Sequence, residues 1–134
     1  MSTLASMTTH TVETHPSVNG IAFGCSEMTL TERLGAPDKR ARNYTGEVEL
    51  LYAETIYRCL NDRFVECTLP DAGPIRVNGT HILNLFKWLA AQEGTVDRAR
   101  FRISLKLGIA YDYRFEDGSI TVFERGHWDH LLQA

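Results

Sequence analysis

From Phe101 to Phe115 apolar and polar positions alternate without a miss, and this run constrains the fold more than any other part of the chain. Phe101, Ile103, Leu105, Leu107, Ile109, Tyr111, Tyr113 and Phe115 share one parity. Arg102, Ser104, Lys106, Gly108, Ala110, Asp112 and Arg114 share the other. A period of two marks a strand with one face against a core. The run ends at Asp117-Gly118, a dipeptide suited to the primed turns of tight hairpins because both residues tolerate positive φ. A two-residue loop there pairs Glu116 with Ser119, Phe115 with Ile120, Arg114 with Thr121, Tyr113 with Val122 and Asp112 with Phe123. The expected product is a long antiparallel ribbon with Ile120 and Val122 on its buried face. Its other face, carrying Asp112, Arg114, Glu116, Thr121, Phe123 and Arg125, is then displayed to solvent.

The 134 residues suit one domain with a normal core. An apolar fraction of 43% and a charged fraction of 23% are those of an ordinary globular protein. A net charge of −3 without a basic stripe argues against nucleic acid as partner and mildly favours a basic one. No run is long enough to cross a bilayer, and residues 1–19 lack the cationic start and apolar centre of a signal peptide. Cys25, Cys59 and Cys67 form neither a paired metal spacing nor an even disulfide set, which fits a reducing, cytoplasmic setting.

Residues 1–19, rich in Ser and Thr, read as a flexible tail with a strand-like touch near Thr11–Glu13, and 20–134 as a single domain. Within it Ile21–Gly24 reads as a short strand. Thr29 with Glu32 forms a capping box for a helix stopped by Gly35 and Pro37. Glu47–Tyr52, Thr55–Leu60 and Phe64–Leu69 read as successive strands, the last two joined at Asn61-Asp62. Ile82, Leu85, Phe86 and Leu89 make a helical stripe with Thr80 as cap and Gly94 as stop. The expected fold is α+β: one antiparallel sheet of about five to seven strands with two helices mainly on one face.

Chemistry-bearing motifs are sparse. His127 and His130 have helical spacing, but a third metal ligand has to come from elsewhere in the chain, so no metal site is expected. Cys59 and Cys67 fall at core positions of strands and are expected to pack as small hydrophobes. Cys25, ahead of the first helix, sits where thiolate character is raised. Glu47, Glu49 and Glu54 can meet only through the fold. Serine-hydrolase elbows and phosphate-binding glycine loops are absent from the sequence. No catalytic residue and no cofactor are therefore expected. Trp88 reads as core edge, and Trp128 reads equally as core edge or as an interface anchor.

Gly20-Ile21-Ala22-Phe23-Gly24 and Leu34-Gly35-Ala36-Pro37-Asp38 resemble the opening of small bacterial immunity-type proteins. Tyr57-Arg58, Phe64–Leu69, Lys106–Asp112 and Gly126-His127-Trp128-Asp129 carry the likeness onward, so that it spans about residues 20–134. Such proteins accompany polymorphic or contact-dependent growth inhibition toxins, and each binds and neutralises its own toxin. The resemblance implies a stoichiometric inhibitor whose partner is a cognate toxin domain, without enzymatic activity. It assigns no contact residue. The ribbon face supplies the expected partner-binding set: Asp112, Arg114, Glu116, Thr121, Phe123, Arg125 and Trp128. An exposed Phe123 further implies that Phe123→Ala weakens partner binding by more than about 1 kcal/mol while leaving the fold intact. The alternative is a small-molecule-binding or enzymatic domain with a pocket between helix and sheet, near His81.

Overall fold

Strand-forming runs dominate the chain, and the computed structural model, which describes residues 9–70, 75–113 and 118–129, turns them into two sheets. In chain order the elements are β1 (His10–Glu13), β2 (Ser17–Val18), β3 (Ile21–Ala22), α1 (Glu27–Leu34), β4 (Lys39–Arg42), β5 (Val48–Tyr52), β6 (Thr55–Cys59) and β7 (Phe64–Pro70). There follow β8 (Ile75–Val77), β9 (Thr80–Ile82), α2 (Leu85–Ala90), β10 (Val96–Arg98), β11 (Phe101–Ser104), β12 (Ile109–Asp112) and β13 (Ser119–Phe123). An eight-stranded antiparallel sheet runs β10-β11-β12-β13-β7-β6-β5-β4. A five-stranded sheet runs β3-β2-β1-β8-β9, with β1 and β8 parallel.

The class is α+β, but the expected single sheet is replaced by two, with 13 strands among the described residues. One apolar core is shared between them. Val12, Val18, Ile75 and Val77 of the small sheet cluster with Leu50, Tyr57, Cys67, Leu69, Ile109, Ile120 and Val122 of the large one. Leu30 of α1 and Leu85 and Leu89 of α2 complete this cluster. The second sheet thus takes much of the covering role expected of the helices. Residues 1–8 lie outside the described residues, but the expected tail does not extend to residue 19. His10–Glu13 and Ser17–Val18 are strands, and Val12 and Val18 are buried.

Both helices start later or earlier than the sequence signals suggest. Ser26, not Thr29, caps α1 by accepting from the Thr29 backbone N–H, and Gly35 closes it as expected. Asn84 caps α2, because Thr80–Ile82 is spent on β9. Among the described residues no helix is long and apolar enough to cross a membrane.

The long ribbon is the main correction. The 101–115 run folds back on itself at Leu105–Gly108, and β11 pairs with β12 as Phe101↔Asp112 through Ser104↔Ile109. The turn is closed by Gly108 N–H donating to Ser104 O at 2.8 Å and Leu107 N–H donating to Ser104 Oγ at 3.1 Å. Gly108 has φ of +72°, and a Cβ there would lie 2.6 Å from the Phe123 carbonyl oxygen. Gly108→Ala is expected to cost ~2–3 kcal/mol, because left-handed strain adds to a clash with backbone. Thermal or urea denaturation checks this, and an unchanged stability would mean the strand runs through position 108 after all.

The fold-back exchanges parity. Phe101 and Ile103 now share a face with Ala110 and Asp112, away from the main core. β12 and β13 then pair as Ile109↔Val122 through Asp112↔Ser119. This is a register four residues from that of an Asp117-Gly118 two-residue loop; Asp117 itself lies outside the described residues. Because the shift is even, the face assignments of β12 and β13 survive it.

Candidate functional site

The outer face of the eight-stranded sheet is built from the non-core parity of each strand. Cross-strand register sets Glu49 beside Arg58, Arg58 beside Glu66, Glu66 beside Phe123, and Thr68 beside Thr121. A register shift at Arg58/Cys59 is what brings Arg58 opposite Glu66. This face was expected to be displayed in full, but the part around Phe123 is covered by the chain itself. After β13 the chain turns at Gly126 (φ +90°), with His127 N–H donating to Glu124 O at 3.0 Å, and lays Trp128 over the sheet. Trp128 stacks on Phe123 with centroids 4.9 Å apart and planes within 8°, and meets Phe101 edge-on at 5.3 Å. Its Nε1–H donates to Glu66 Oε1 at 2.9 Å. Phe123, Trp128, Ile103 and Ala110 form a second, smaller core, with Phe101 and Leu105 at its margin.

The expected partner-binding residues therefore separate. Phe123 is fully buried (0% exposed) and Trp128 nearly so (8%), so neither is a solvent-facing anchor. Asp112 and Thr121 are buried as well, whereas Arg125 is exposed. Arg114 and Glu116 lie outside the described residues. Three of the set do converge: Asp112, Thr121 and Trp128 line one open cleft of about 340 Å³ together with Arg58, Glu66, Thr68, Arg100, Phe101 and Ser119. The cleft occupies the sheet face opposite the helices. It is not the helix–sheet pocket of the alternative reading, and His81, exposed on β9, takes no part in it.

The cleft is lined by matched charges. Arg58 Nε–H donates to Glu49 Oε2 at 2.8 Å, and its Nη1 to Glu66 Oε2 at 2.9 Å and Thr68 Oγ1 at 2.6 Å. The Thr68 and Thr121 hydroxyls are 3.1 Å apart. Arg100 Nε–H donates to Asp112 Oδ2 at 2.9 Å, and the guanidinium lies 4.8 Å from the Phe101 ring centre. Next to the cleft, His127 Nε2 is 3.3 Å from Glu47 Oε2 and 3.4 Å from Glu66 Oε1. Burial opposes ionisation of Glu66, but hydrogen bonds from His127 and Trp128 and the nearby Arg58 guanidinium prevail and hold its carboxyl below the ordinary range. Its hydrogen bond to Glu66 raises the imidazole of His127 above its usual value, against the opposing effect of burial.

Sequence reading missed Arg58, Glu66 and Arg100, and it left Glu47 and Glu49 as scattered acids. The signal available was the Asn61-Asp62 hairpin, which brings β6 and β7 side by side; the register shift hid which residues meet. Glu54 stays apart at the β5–β6 turn. Burial pushes the Cys59 thiol up to about 12 and raises Cys67 further, and it raises Cys25 too, against the expected thiolate character there. No protein-family model, curated protein or solved structure matches the chain.

Proposed function

We propose that the protein is a stoichiometric inhibitor, an immunity protein that binds a cognate bacterial toxin domain and blocks it without catalysis or cofactor, in the cytoplasm of the cell that makes it. The supporting observation is the preformed cleft whose charged groups are already matched within the chain. Arg58, Glu66, Arg100 and Asp112 hold one another in place, and Trp128 is fixed from two sides. A surface ordered before encounter loses little side-chain entropy on binding. Arginine at a partly desolvated concavity is a residue type that anchors protein interfaces, and the Arg100 side chain keeps 45% exposure there. A general base or nucleophile, by contrast, works from a group poised to exchange protons or electrons with substrate. The resemblance of residues 20–134 to immunity-type proteins supports the same reading.

Phe123 enters this function as the support beneath Trp128, and the contact surface is the cleft and its rim at Arg100, Phe101 and Ser119. Co-expression with the product of the adjacent upstream gene is expected to give a 1:1 copurifying complex and to restore growth. An active toxin that stays unbound and kills the co-expressing cell contradicts the proposal. The cleft volume of about 340 Å³ also falls at the small end of ligand pockets, which favours a small polar molecule as the second reading. Saturable binding of such a ligand in the cleft, with no effect on any toxin, would select it.

A further inference from the structure

Glu47, Glu66 and His127 come from three distant parts of the chain, immediately before β5, within β7 and in the turn after β13. Their donor atoms nevertheless all lie within 4.8 Å of one another. We infer that these three side chains bind one divalent first-row transition-metal ion, zinc foremost, which fastens the C-terminal turn to the eight-stranded sheet. The proposal is independent of the partner assigned above.

Three observations carry it. The first is spacing. His127 Nε2 stands 3.3 Å from Glu47 Oε2 and 3.4 Å from Glu66 Oε1. Charge-assisted N–H···O bonds run at about 2.7–2.9 Å, and one imidazole N–H cannot point squarely at two oxygens. Zinc bonds of about 2.0–2.2 Å to nitrogen and carboxylate oxygen at tetrahedral angles place donor atoms about 3.3–3.5 Å apart. Both separations from His127 match this, and the two carboxylate oxygens lie within 4.8 Å of each other.

The second observation is charge. Glu49 and Glu66 pair with one guanidinium, that of Arg58, and Glu47 lies within its electrostatic reach, so that three carboxylates share one cation in a half-buried setting. With the imidazole neutral, as a metal ligand must be, a dication balances the surplus.

The third is orientation. Asn43 Nδ2–H donates to Glu47 Oε1 at 3.0 Å and Arg58 Nη1 to Glu66 Oε2 at 2.9 Å, so each carboxylate is held by the oxygen that does not face His127. Trp128 Nε1–H reaches Glu66 Oε1 itself and leaves that oxygen a second lone pair. Such outer contacts aim metal ligands before the ion arrives. The side chains of His127, Glu47 and Glu66 keep 19%, 14% and 12% exposure, enough to admit an ion from solvent. An imidazole nitrogen among carboxylates suits zinc, nickel or cobalt better than magnesium or calcium.

The test uses tag-free full-length protein stripped with chelator and titrated with ZnCl₂ and CoCl₂ by calorimetry, with native mass spectrometry for stoichiometry and visible absorption for the cobalt ligand field. The expected result is one ion per chain, a raised Tm with zinc, and cobalt bands of four- or five-coordinate geometry. His127→Ala and the near-isosteric Glu47→Gln are each expected to lower affinity at least about 100-fold, with circular dichroism unchanged. No stoichiometric binding, equal binding by both folded variants, or magnesium binding as tight as zinc would overturn the assignment.

Discussion

Phe123→Ala is expected to lower stability by ~3–5 kcal/mol, the cost of emptying a filled aromatic site. For a domain of this size that is a drop of roughly 10–20 °C in Tm. Phe123 is fully buried, and its ring supports Trp128 at 4.9 Å. Removing it opens a cavity and leaves Trp128 without its stacking partner, so the turn at Gly126 keeps only the Phe101 and Glu66 contacts of Trp128 as anchors on the sheet. An exposed side chain at this position would change stability by no more than about 0.5 kcal/mol. Denaturant unfolding separates the two cases widely. Phe123→Leu, which keeps most of the volume, is expected to cost less than about 1.5 kcal/mol and to show that packing is at stake. A folded Phe123→Ala protein with wild-type stability would mean that Trp128 does not cover the sheet.

Arg58→Met is expected to cost ~2–4 kcal/mol. Arg58 joins Glu49, Glu66 and Thr68, and its side chain is only 16% exposed. Removing it leaves Glu66, 12% exposed, with a charge opposed by burial and supported only from the Trp128 and His127 side. Breaking a fully buried pair costs about 3–5 kcal/mol, and the residual exposure of Glu49 and Glu66 reduces that here. Neutralising the orphaned acid should recover part of the loss. The double variant Arg58→Met/Glu66→Gln is therefore expected to be more stable than the sum of the single effects predicts. Strict additivity, measured by denaturant unfolding of all four proteins, would contradict a direct Arg58–Glu66 interaction.

Much of the fold could be read where local signals and tertiary structure agree. The strands around Leu50, Tyr57 and Cys67 lie where alternation and the Asn61-Asp62 turn put them, and both turn residues have positive φ. Gly35 ends α1 as its position after an apolar turn suggests. The two-faced character of β12 and β13 also follows from alternation, because a register shift of four leaves faces unchanged. What failed was global. A run of perfect parity hid the fold-back at Gly108, the one residue in it able to take positive φ against the Phe123 backbone at no steric cost. Periodicity tells which side a residue faces but not what lies over that side. The covering of Phe123 by Trp128 depends on a turn after β13 that leaves no periodic trace. The Glu47–Glu66–His127 grouping depends on the same turn and on sheet register, and so no spacing in the sequence announces it.

Hydrogen–deuterium exchange of the copurified toxin complex, compared with the free protein, bears most directly on the central assignment, that recognition takes place on the outer face of the eight-stranded sheet. Slowed exchange is expected in β11, β12 and β13 and in residues 124–129 around Trp128, with β1, β8 and β9 unchanged. Protection confined to β1, β8 and β9, with the Trp128 turn exchanging as it does in the free protein, would contradict it.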